Sequence, residues 1–435
     1  MNYKFILLIF SSLLIFGCDD EQAAGPGDAD TYIKFFGASN ADIAYMARQT
    51  PDGGCVLLGT TEIDNEGEAV FKIKVIKVDG NGNEQWQKVY PEFSEDKSDF
   101  TVSLKGRSVI VVDDGYIIVG DSIKSDLTTN SSLLVMKIND NATDNSFTDL
   151  SINYYDNSGA MPGLDLHGID VIQDSDDNFR IISNVMNDDE LIGIWFSQVN
   201  TDLSFDIEGN DPNCYYDLPG KVELVKSLSE TSDNNFFFGG TNKSSSIDNS
   251  TIRQVDKCFN GLIGVPSNIV QGATNPYTAS QIIPTNIGYA LVGTTLTGTG
   301  RTKVFLSLLN SNGTPRTVEP LIYSDPDDLY DGIGRATGNT VADESGSTIA
   351  NTSDGGFIIG GATLSETAGE EDILLIKTDA NGGILWSKTI GNANQEIATH
   401  IQQAADGGFL IFGNTEFGGI DTMVLIKTDK NGNIN

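Results

Sequence analysis

A short pattern recurs along this chain and constrains its fold more than any other feature. It combines a Gly-rich turn, a strand that starts with an aromatic residue and carries Gly four residues later, a polar loop, and an apolar strand that ends in a polar turn. The clearest copies lie at 352–392, 404–435 and 50–90. Short apolar runs between such turns are typical of β-hairpins and not of helices. The repeat therefore predicts an array of small antiparallel sheets.

The aromatic-to-glycine signature predicts seven units. Cys replaces the aromatic residue in the first copy, and Ser replaces Gly in the third. Successive copies lie roughly 50 to 70 residues apart, near the upper end of the range for propeller blades. Each unit has room for four strands, so we predict an all-β, seven-bladed β-propeller of four-stranded blades. The signature pairs are Cys55/Gly59, Tyr116/Gly120, Phe179/Ser183, Phe236/Gly240, Tyr289/Gly293, Phe357/Gly361 and Phe409/Gly413.

The last unit lacks a fourth strand, and a spare strand stands ahead of the first unit. Residues Tyr32–Phe36 align without gaps on Trp386–Ile390, the fourth strand of the sixth unit. We therefore predict that Tyr32–Phe36 completes the seventh blade and closes the ring. Closure would protect an edge strand that an open array leaves exposed.

The first residues have the pattern of a secretion signal. Lys4 is followed by the apolar run Phe5–Phe16, which is too short to span a bilayer. The segment that ends in Cys18, Ile-Phe-Gly-Cys, resembles the lipobox of bacterial lipoproteins, which implies that Cys18 is the lipidated first residue of the mature chain. An ordinary signal peptide with a chance Cys is the alternative. We thus predict a signal peptide over 1–17, a lipidated Cys and flexible tether over 18–30, and a single propeller domain over 31–435.

Two further features suggest where the protein is located. Asp19, Asp20, Glu21 and Gln22 resemble the acidic export signal of Bacteroidetes lipoproteins, which places them on the outer face of the outer membrane. In enteric bacteria an acidic residue at this place favours inner-membrane retention. The repeat itself also resembles one that is common in Bacteroidetes exported lipoproteins and secreted proteins. This resemblance covers most of 32–435 and implies a β-propeller, but the family is mostly uncharacterised and supplies no catalytic residues. We expect a lipid-anchored outer-membrane protein that faces the cell exterior, with a periplasmic orientation as the alternative.

The charge balance restricts the possible partners. The chain has 61 acidic and 26 basic residues, a net charge of −35. Such a field opposes binding to nucleic acids and to anionic membrane surfaces. We expect no nucleic-acid partner, and membrane contact through the lipid anchor only. Cation binding, basic partners and simple solubility remain compatible with this charge.

The residue types that common catalytic sites require are scarce. His167 and His400 are the two histidines, and they lie at different offsets from their turns. We interpret His400 as a satisfied residue on an inner strand. No Gly-x-Ser-x-Gly, phosphate-loop or Cys-x-x-Cys motif occurs. Paired carboxylates could support glycoside cleavage, but 61 candidates cannot be assigned from sequence. We therefore assign no catalytic and no metal residue and leave the ligand-binding residues open.

Other residues have structural interpretations. The turn that starts at Asp379 resembles half of an EF-hand loop, but the chain then runs straight into a strand, so we predict a hairpin turn and no cofactor. A hard cation such as calcium in the acidic loops is the open alternative. We expect Trp86, Trp386 and Tyr32 to pack between blades, and Cys55 to be a buried apolar residue. Whether Cys214 and Cys258 form a disulfide is left open.

These observations favour a non-enzymatic binding or interaction module. Its ligand would be a glycan or an envelope protein, held by loops that differ between units, at 60–70, 121–132, 241–250 and 361–372. The stretch Thr314–Ser347 is longer than a standard connection and is expected to form an excursion on one face. The alternatives are a carbohydrate-active hydrolase or lyase that uses channel carboxylates, and a structural subunit of an envelope complex.

Overall fold

Seven antiparallel four-stranded sheets form a seven-bladed β-propeller in the computed structural model, as the repeat predicts. No helix among the described residues is long and apolar enough to cross a membrane. The predicted signal peptide, Cys18 and the tether lie outside the described residues. The structure describes residues 31–37, 40–65, 67–90, 102–124, 131–139, 150–155, 165–187, 190–200, 203, 214–217, 222–231, 235–243, 248–255, 262–268, 275–298, 300–323, 343–364 and 370–434.

The strands follow one another as simple meanders. In chain order they are β1 (Tyr32–Phe36), β2 (Asp42–Gln49), β3 (Cys55–Asn65), β4 (Glu68–Val78), β5 (Glu84–Tyr90), β6 (Val102–Val112), β7 (Gly115–Lys124), β8 (Ser131–Asn139), β9 (Leu150–Tyr155), β10 (Asp165–Gln173), β11 (Phe179–Asn187), β12 (Glu190–Val199), β13 (Cys214–Asp217), β14 (Val222–Glu230), β15 (Phe236–Lys243), β16 (Asp248–Val255), β17 (Leu262–Asn268), β18 (Tyr277–Thr285), β19 (Gly288–Leu296), β20 (Thr302–Leu309), β21 (Leu321–Tyr323), β22 (Glu344–Asn351), β23 (Phe357–Thr363), β24 (Asp372–Thr378), β25 (Ile384–Ile390), β26 (Glu396–Gln403), β27 (Phe409–Phe417) and β28 (Ile420–Thr428).

Blades one to six each take four consecutive strands, from β2–β5 to β22–β25. The seventh blade consists of β26, β27, β28 and β1, in that order from the channel outward. The inner strands are therefore β2, β6, β10, β14, β18, β22 and β26.

The closing strand has the predicted register. β1 pairs antiparallel with β28, and Tyr32 lies opposite Lys427. In the sixth blade Trp386 lies opposite Lys377, the residue equivalent to Lys427. The structure thus confirms that Tyr32–Phe36 supplies the fourth strand of the last blade.

The two turn motifs of the repeat have local structural roles. In the turn between the third and fourth strands, Asp379 Oδ1 accepts the N–H groups of Asn381 and Gly383, each at 2.8 Å. Gly382 in this turn has a φ of +83°, which favours glycine. The Asp of the Asp-Gly-Gly turn pairs with a third-strand lysine, as in Lys377 Nζ to Asp354 Oδ2 at 2.9 Å. The first and seventh blades form the same pair, Lys77–Asp52 and Lys427–Asp406, and the second blade forms a related pair, Lys137–Asp114, from an Asp-Asp-Gly turn.

The recurring aromatic residues pack between neighbouring blades. The ring centroids of Trp86 and Tyr116 are 6.3 Å apart, and those of Trp386 and Phe409 are 5.7 Å apart. Tyr32 packs against the cluster that contains Cys55, and burial raises the pKa of the Cys55 thiol to about 12. These contacts confirm the packing interpretation for all four positions. The Cys214–Cys258 question falls outside the described side chains.

One sequence expectation needs correction. The stretch Thr314–Ser347 is not only a connection, because it contains β21 and the start of β22. With three residues, β21 is too short to show an apolar alternation in the sequence, although it completes the fifth blade. Residues 324–342 lie outside the described part.

Neighbouring residues of β1 provide a test of ring closure. Phe36 is 7% exposed and packs in a cluster with Met423 and Leu425, whereas Phe35 is 57% exposed. We expect Phe36→Ala to lower the free energy of unfolding by about 3 kcal/mol, and Phe35→Ala to change it by no more than about 0.5 kcal/mol. Equilibrium urea unfolding measures both values. Equal losses in the two variants would contradict the role of β1 in closing the seventh blade.

Candidate functional site

Every inner strand carries a β-bulge at an equivalent place. In β2 the pairing shifts between Ala44 and Met46, so Tyr45 is an extra residue outside the ladder with β3. Bulges of this kind redirect a side chain, and here all seven extra residues line one cavity in the channel. They are Tyr45, Arg107, Ile169, Lys226, Ser280, Ser347 and Thr399.

The bulge explains the signature glycine of the repeat. Gly361 pairs with Gly346, the residue just before the bulge of β22, and a Cβ on Gly361 would collide with the Ser345 carbonyl oxygen. Gly120 and Gly413 would meet equivalent carbonyl oxygens in their blades. In these blades a side chain at this position would clash with the bulged inner strand, whereas the third blade accommodates Ser183 opposite its bulge. The repeat signature thus marks, on the second strand, the place where the first strand turns a residue into the channel.

The sequence also carries a second signal, which marks the residues that line the channel. A small, buried residue comes immediately before each bulged residue, and the bulged residue itself is partly or fully exposed. This pattern in the strand ahead of each signature aromatic could have identified the channel residues. The small residues are Ala44, Gly106, Gly168, Val225, Ala279, Gly346 and Ala398.

The residue after each bulge ties its blade to a neighbour. Ser227 Oγ accepts the N–H of Ile282 at 2.8 Å, and Gln281 Oε1 accepts that of Ile349 at 2.8 Å. Thr348 Oγ1 in the same way accepts an N–H from the seventh blade. The other four junctions have equivalent contacts. Val109 N–H donates to Met46 Sδ, Ser108 Oγ and Leu228 N–H both donate to Asp170, and Arg48 donates to His400.

The cavity has a volume of about 330 Å³ and takes lining residues from all seven inner strands. The bulged residue is the fourth of its strand in β2, β18, β22 and β26, which places it about 10 Å along the strand from its first residue. That end of the ring also carries the loops between second and third strands, since Asp42 pairs with Thr61 at the base of the first such loop. The cavity therefore lies about midway along the inner strands, inside the channel.

Arg107 presents a positive charge to the cavity. Its Nε donates to Asp121 Oδ1 at 3.1 Å, and its guanidinium lies 5.1 Å from the centre of the Tyr45 ring. Burial lowers the pKa of Arg107, but the charges of Asp121 and Tyr45 and the hydrogen bond to Asp121 together outweigh this effect, and the net shift is upward. The Arg107 side chain is 32% exposed, whereas that of Asp121 is 1% exposed. His167 also contacts Asp121, so the Asp121 carboxylate interacts with two side chains, Arg107 and His167.

Arg48 and His400 form the junction between the seventh and first blades. A terminal nitrogen of Arg48 lies 2.8 Å from His400 Nε2. Burial, followed by the charge of Arg48, holds the pKa of His400 well below 6.5. The imidazole is therefore neutral at pH 7 and accepts the hydrogen bond. The structure confirms His400 as a satisfied residue on an inner strand, and it also places this residue in the cavity lining.

Asp170 is the one carboxylate among the described residues that line the cavity. Its Oδ1 accepts from Ser108 Oγ at 2.7 Å and from Val171 N–H at 3.0 Å. Its Oδ2 accepts from Leu228 N–H at 3.0 Å. Burial raises the pKa of Asp170. Both oxygens thus serve the scaffold, whereas glycoside cleavage by the usual route needs two carboxyl groups that flank the bond.

The loops expected to bind ligand are only partly described. They correspond to the connections β3–β4, β7–β8, β15–β16 and β23–β24, and each contains residues outside the described part. Among the described residues there is no group of three or more His, Cys, Asp or Glu side chains arranged to hold a metal ion. The sequence analysis did not single out Arg48, Arg107 or Lys226, which the propeller brings together from three separate blades.

No protein-family model and no curated protein matches this chain. Among solved structures, the periplasmic gluconolactonase PpgL of Pseudomonas aeruginosa is similar with a TM-score of 0.47 at 13% identity, over 80% of this chain and 86% of that chain. YCF48 from Cyanidioschyzon merolae gives 0.46 at 10% identity, over 90% and 98%. A Trypanosoma rangeli sialidase gives 0.43 at 9% identity, over 91% and 59%.

The buried His400 predicts a pH dependence of stability. Its pKa in the folded protein is well below the value of about 6.5 expected in the unfolded chain. As the pH falls below about 6.5, the unfolded chain binds a proton that the folded protein does not, so the free energy of unfolding decreases by up to about 1.4 kcal/mol per pH unit.

His400→Gln keeps an acceptor for Arg48 and removes this titration. We expect the difference in stability between the two proteins to be constant above about pH 7 and to shift in favour of the variant between about pH 6.5 and 5. Urea unfolding over this pH range measures the difference. A difference that does not change with pH would contradict the neutral, buried state of His400.

Proposed function

We propose that this protein is a non-enzymatic binding module that holds its ligand in the central channel. The observation that carries this proposal is the convergence of seven bulged side chains on one cavity. The scaffold repeats from blade to blade, whereas these seven residues differ: Tyr, Arg, Ile, Lys, Ser, Ser and Thr. A site built from residues that vary on a repeated backbone is suited to recognition of a particular ligand.

The surroundings of the cavity favour binding over catalysis. Its walls belong to strands that are cross-linked at each junction, and such a pre-organised site loses little entropy when a ligand binds. The one carboxylate among its described lining residues, Asp170, accepts three hydrogen bonds from the scaffold. The proposal therefore does not include the hydrolase or lyase alternative.

The size and polarity of the cavity favour a glycan. A volume of about 330 Å³ is at the lower end of the range for small-molecule pockets. It suits a single sugar residue better than a folded segment of a partner protein. Hydroxyl, amide and cationic side chains predominate in its lining, as expected for a ligand rich in hydroxyl groups.

The proposed location follows from the sequence alone. The resemblance of the segment ending in Cys18 to a lipobox, and of the acidic residues after it to a surface export signal, supports a lipid-anchored protein on the outer face of the outer membrane. Protease accessibility of intact cells, compared with cells in which Cys18→Ala blocks lipidation, tests both points.

A bulky residue in the channel tests the binding role. Ser347→Trp introduces an indole among the bulged residues, whereas Ile287→Trp adds the same side chain at an exposed turn on the opposite face. We expect binding to an array of defined oligosaccharides to be lost in the first variant and retained in the second, because only the first obstructs the cavity.

Thermal unfolding of both variants verifies that the ring stays folded. If the protein binds a glycan and Ser347→Trp leaves that binding unchanged, the site is not in the channel. If neither the protein nor the control binds any member of the array, the glycan-binding proposal is wrong.

A further inference from the structure

The cavity wall is divided into two chemically different halves, and we infer that it selects an acidic sugar residue. One half would hold a carboxylate and the other would hold hydroxyl groups. This inference rests on the proposed binding function and specifies its ligand class.

The cationic half belongs to blades one to four. The bulged residues there are Tyr45, Arg107, Ile169 and Lys226, and Arg48 of the first blade lies deeper in the channel but is still partly exposed. The half therefore combines three cations with an aromatic and an aliphatic side chain. Arginine and lysine are the side chains best suited to bind a carboxylate.

The hydroxyl half belongs to blades five to seven. Ser280, Ser347 and Thr399 are the bulged residues of three consecutive blades. Thr399 Oγ1 donates to the Phe412 carbonyl at 3.1 Å, which orients the hydroxyl and leaves its oxygen as an acceptor toward the cavity. Three neighbouring hydroxyls on a rigid wall match the hydroxyl groups of a sugar ring.

The carboxylates that interact with Arg107 and Arg48 are more buried than the cations that line the cavity. Asp121 is 1% exposed, and Asp170 is buried and accepts three hydrogen bonds from the scaffold. Arg107 is in contrast 32% exposed, and Lys226 is exposed. A ligand in the cavity thus meets the cations first, with the carboxylates behind them.

The partner of Arg48 strengthens this asymmetry. Its guanidinium donates to the His400 ring, which is a neutral acceptor and not a carboxylate. The interaction fixes the orientation of Arg48, whose charge also interacts with that of the buried Asp170. A protein with a net charge of −35 therefore places three of its 26 basic residues around a cavity of about 330 Å³.

Titration calorimetry with matched sugars tests the inference. The probes are D-glucuronate, D-galacturonate and N-acetylneuraminate, with D-glucose, D-galactose and acetate as neutral or hydroxyl-free counterparts. We expect at least one acidic sugar to bind at least tenfold more tightly than its neutral counterpart and than acetate, because only the acidic sugar engages both halves. An oligosaccharide that ends in the same acidic residue distinguishes a free sugar from a glycan terminus as the source.

Charge-removing variants locate the carboxylate. We expect the Arg107→Gln/Lys226→Gln double variant to weaken binding of the acidic sugar at least tenfold and to weaken binding of the neutral sugar by a much smaller factor. Lys105→Gln is the matched control, since Lys105 is on the same strand but lies over the Phe71 ring, 4.4 Å from its centroid, and outside the cavity. Arg107→Lys, which keeps the charge, should lose less affinity than Arg107→Gln.

Variants of the other half locate the hydroxyl groups. Ser280→Ala combined with Ser347→Ala should weaken binding of the acidic sugar several-fold and leave binding of acetate unchanged. Because both substitutions leave small side chains, these variants still test the inference if the loss of Arg107 disturbs the fold by removing a partner of Asp121.

The outcomes separate this inference from the proposed function. If the neutral sugar binds as tightly as the acidic one, and Ser347→Trp abolishes both, the channel binds glycans and the inference of an acidic ligand is wrong. If no acidic sugar or acidic-ended oligosaccharide binds, the inference is also overturned, and the wider oligosaccharide array decides the proposed function.

Discussion

A one-residue bulge in each of seven inner strands is the constraint on which the channel of this propeller depends. The bulge turns one side chain toward the axis, and it requires glycine on the adjacent strand in blades such as the sixth, where Gly361 faces the Ser345 carbonyl oxygen. The residue after the bulge then contacts a neighbouring blade. One backbone irregularity thus accounts for the repeat signature, the lateral links between blades and the lining of the cavity.

The strong negative charge and the cationic cavity are compatible because they act over different distances. A net charge of −35 gives a field that repels extended polyanions before contact, whereas Arg107 and Lys226 act only on a group that has entered the channel. We therefore expect the channel to accept a small acidic ligand and the surrounding field to oppose binding of a nucleic acid.

The sequence predicted the fold far better than the site. Blade number, the hairpin turns and the closing strand follow from local patterns, because hairpin turns and strand alternation leave a direct trace in neighbouring residues. The cavity brings together Arg48, Arg107 and Lys226, which only the ring closure makes neighbours. The bulge also moves its residue out of the simple alternation that sequence analysis reads. The short strand β21 was missed because three residues carry too little pattern.

The pairing of β1 with β28 has a consequence for biosynthesis. β1 precedes the first blade and its partner follows the sixth, so β1 leaves the ribosome early and must wait for nearly the whole chain before it can form its ladder. Contacts between such distant segments form slowly, and an unpaired strand with Ile33 and Phe35 on one side invites association with other chains. Six blades are able to form in order as they emerge, whereas the seventh forms only after β28 has been synthesised and can pair with β1. Factors that shield β1 during this interval would therefore influence the yield of correctly closed rings.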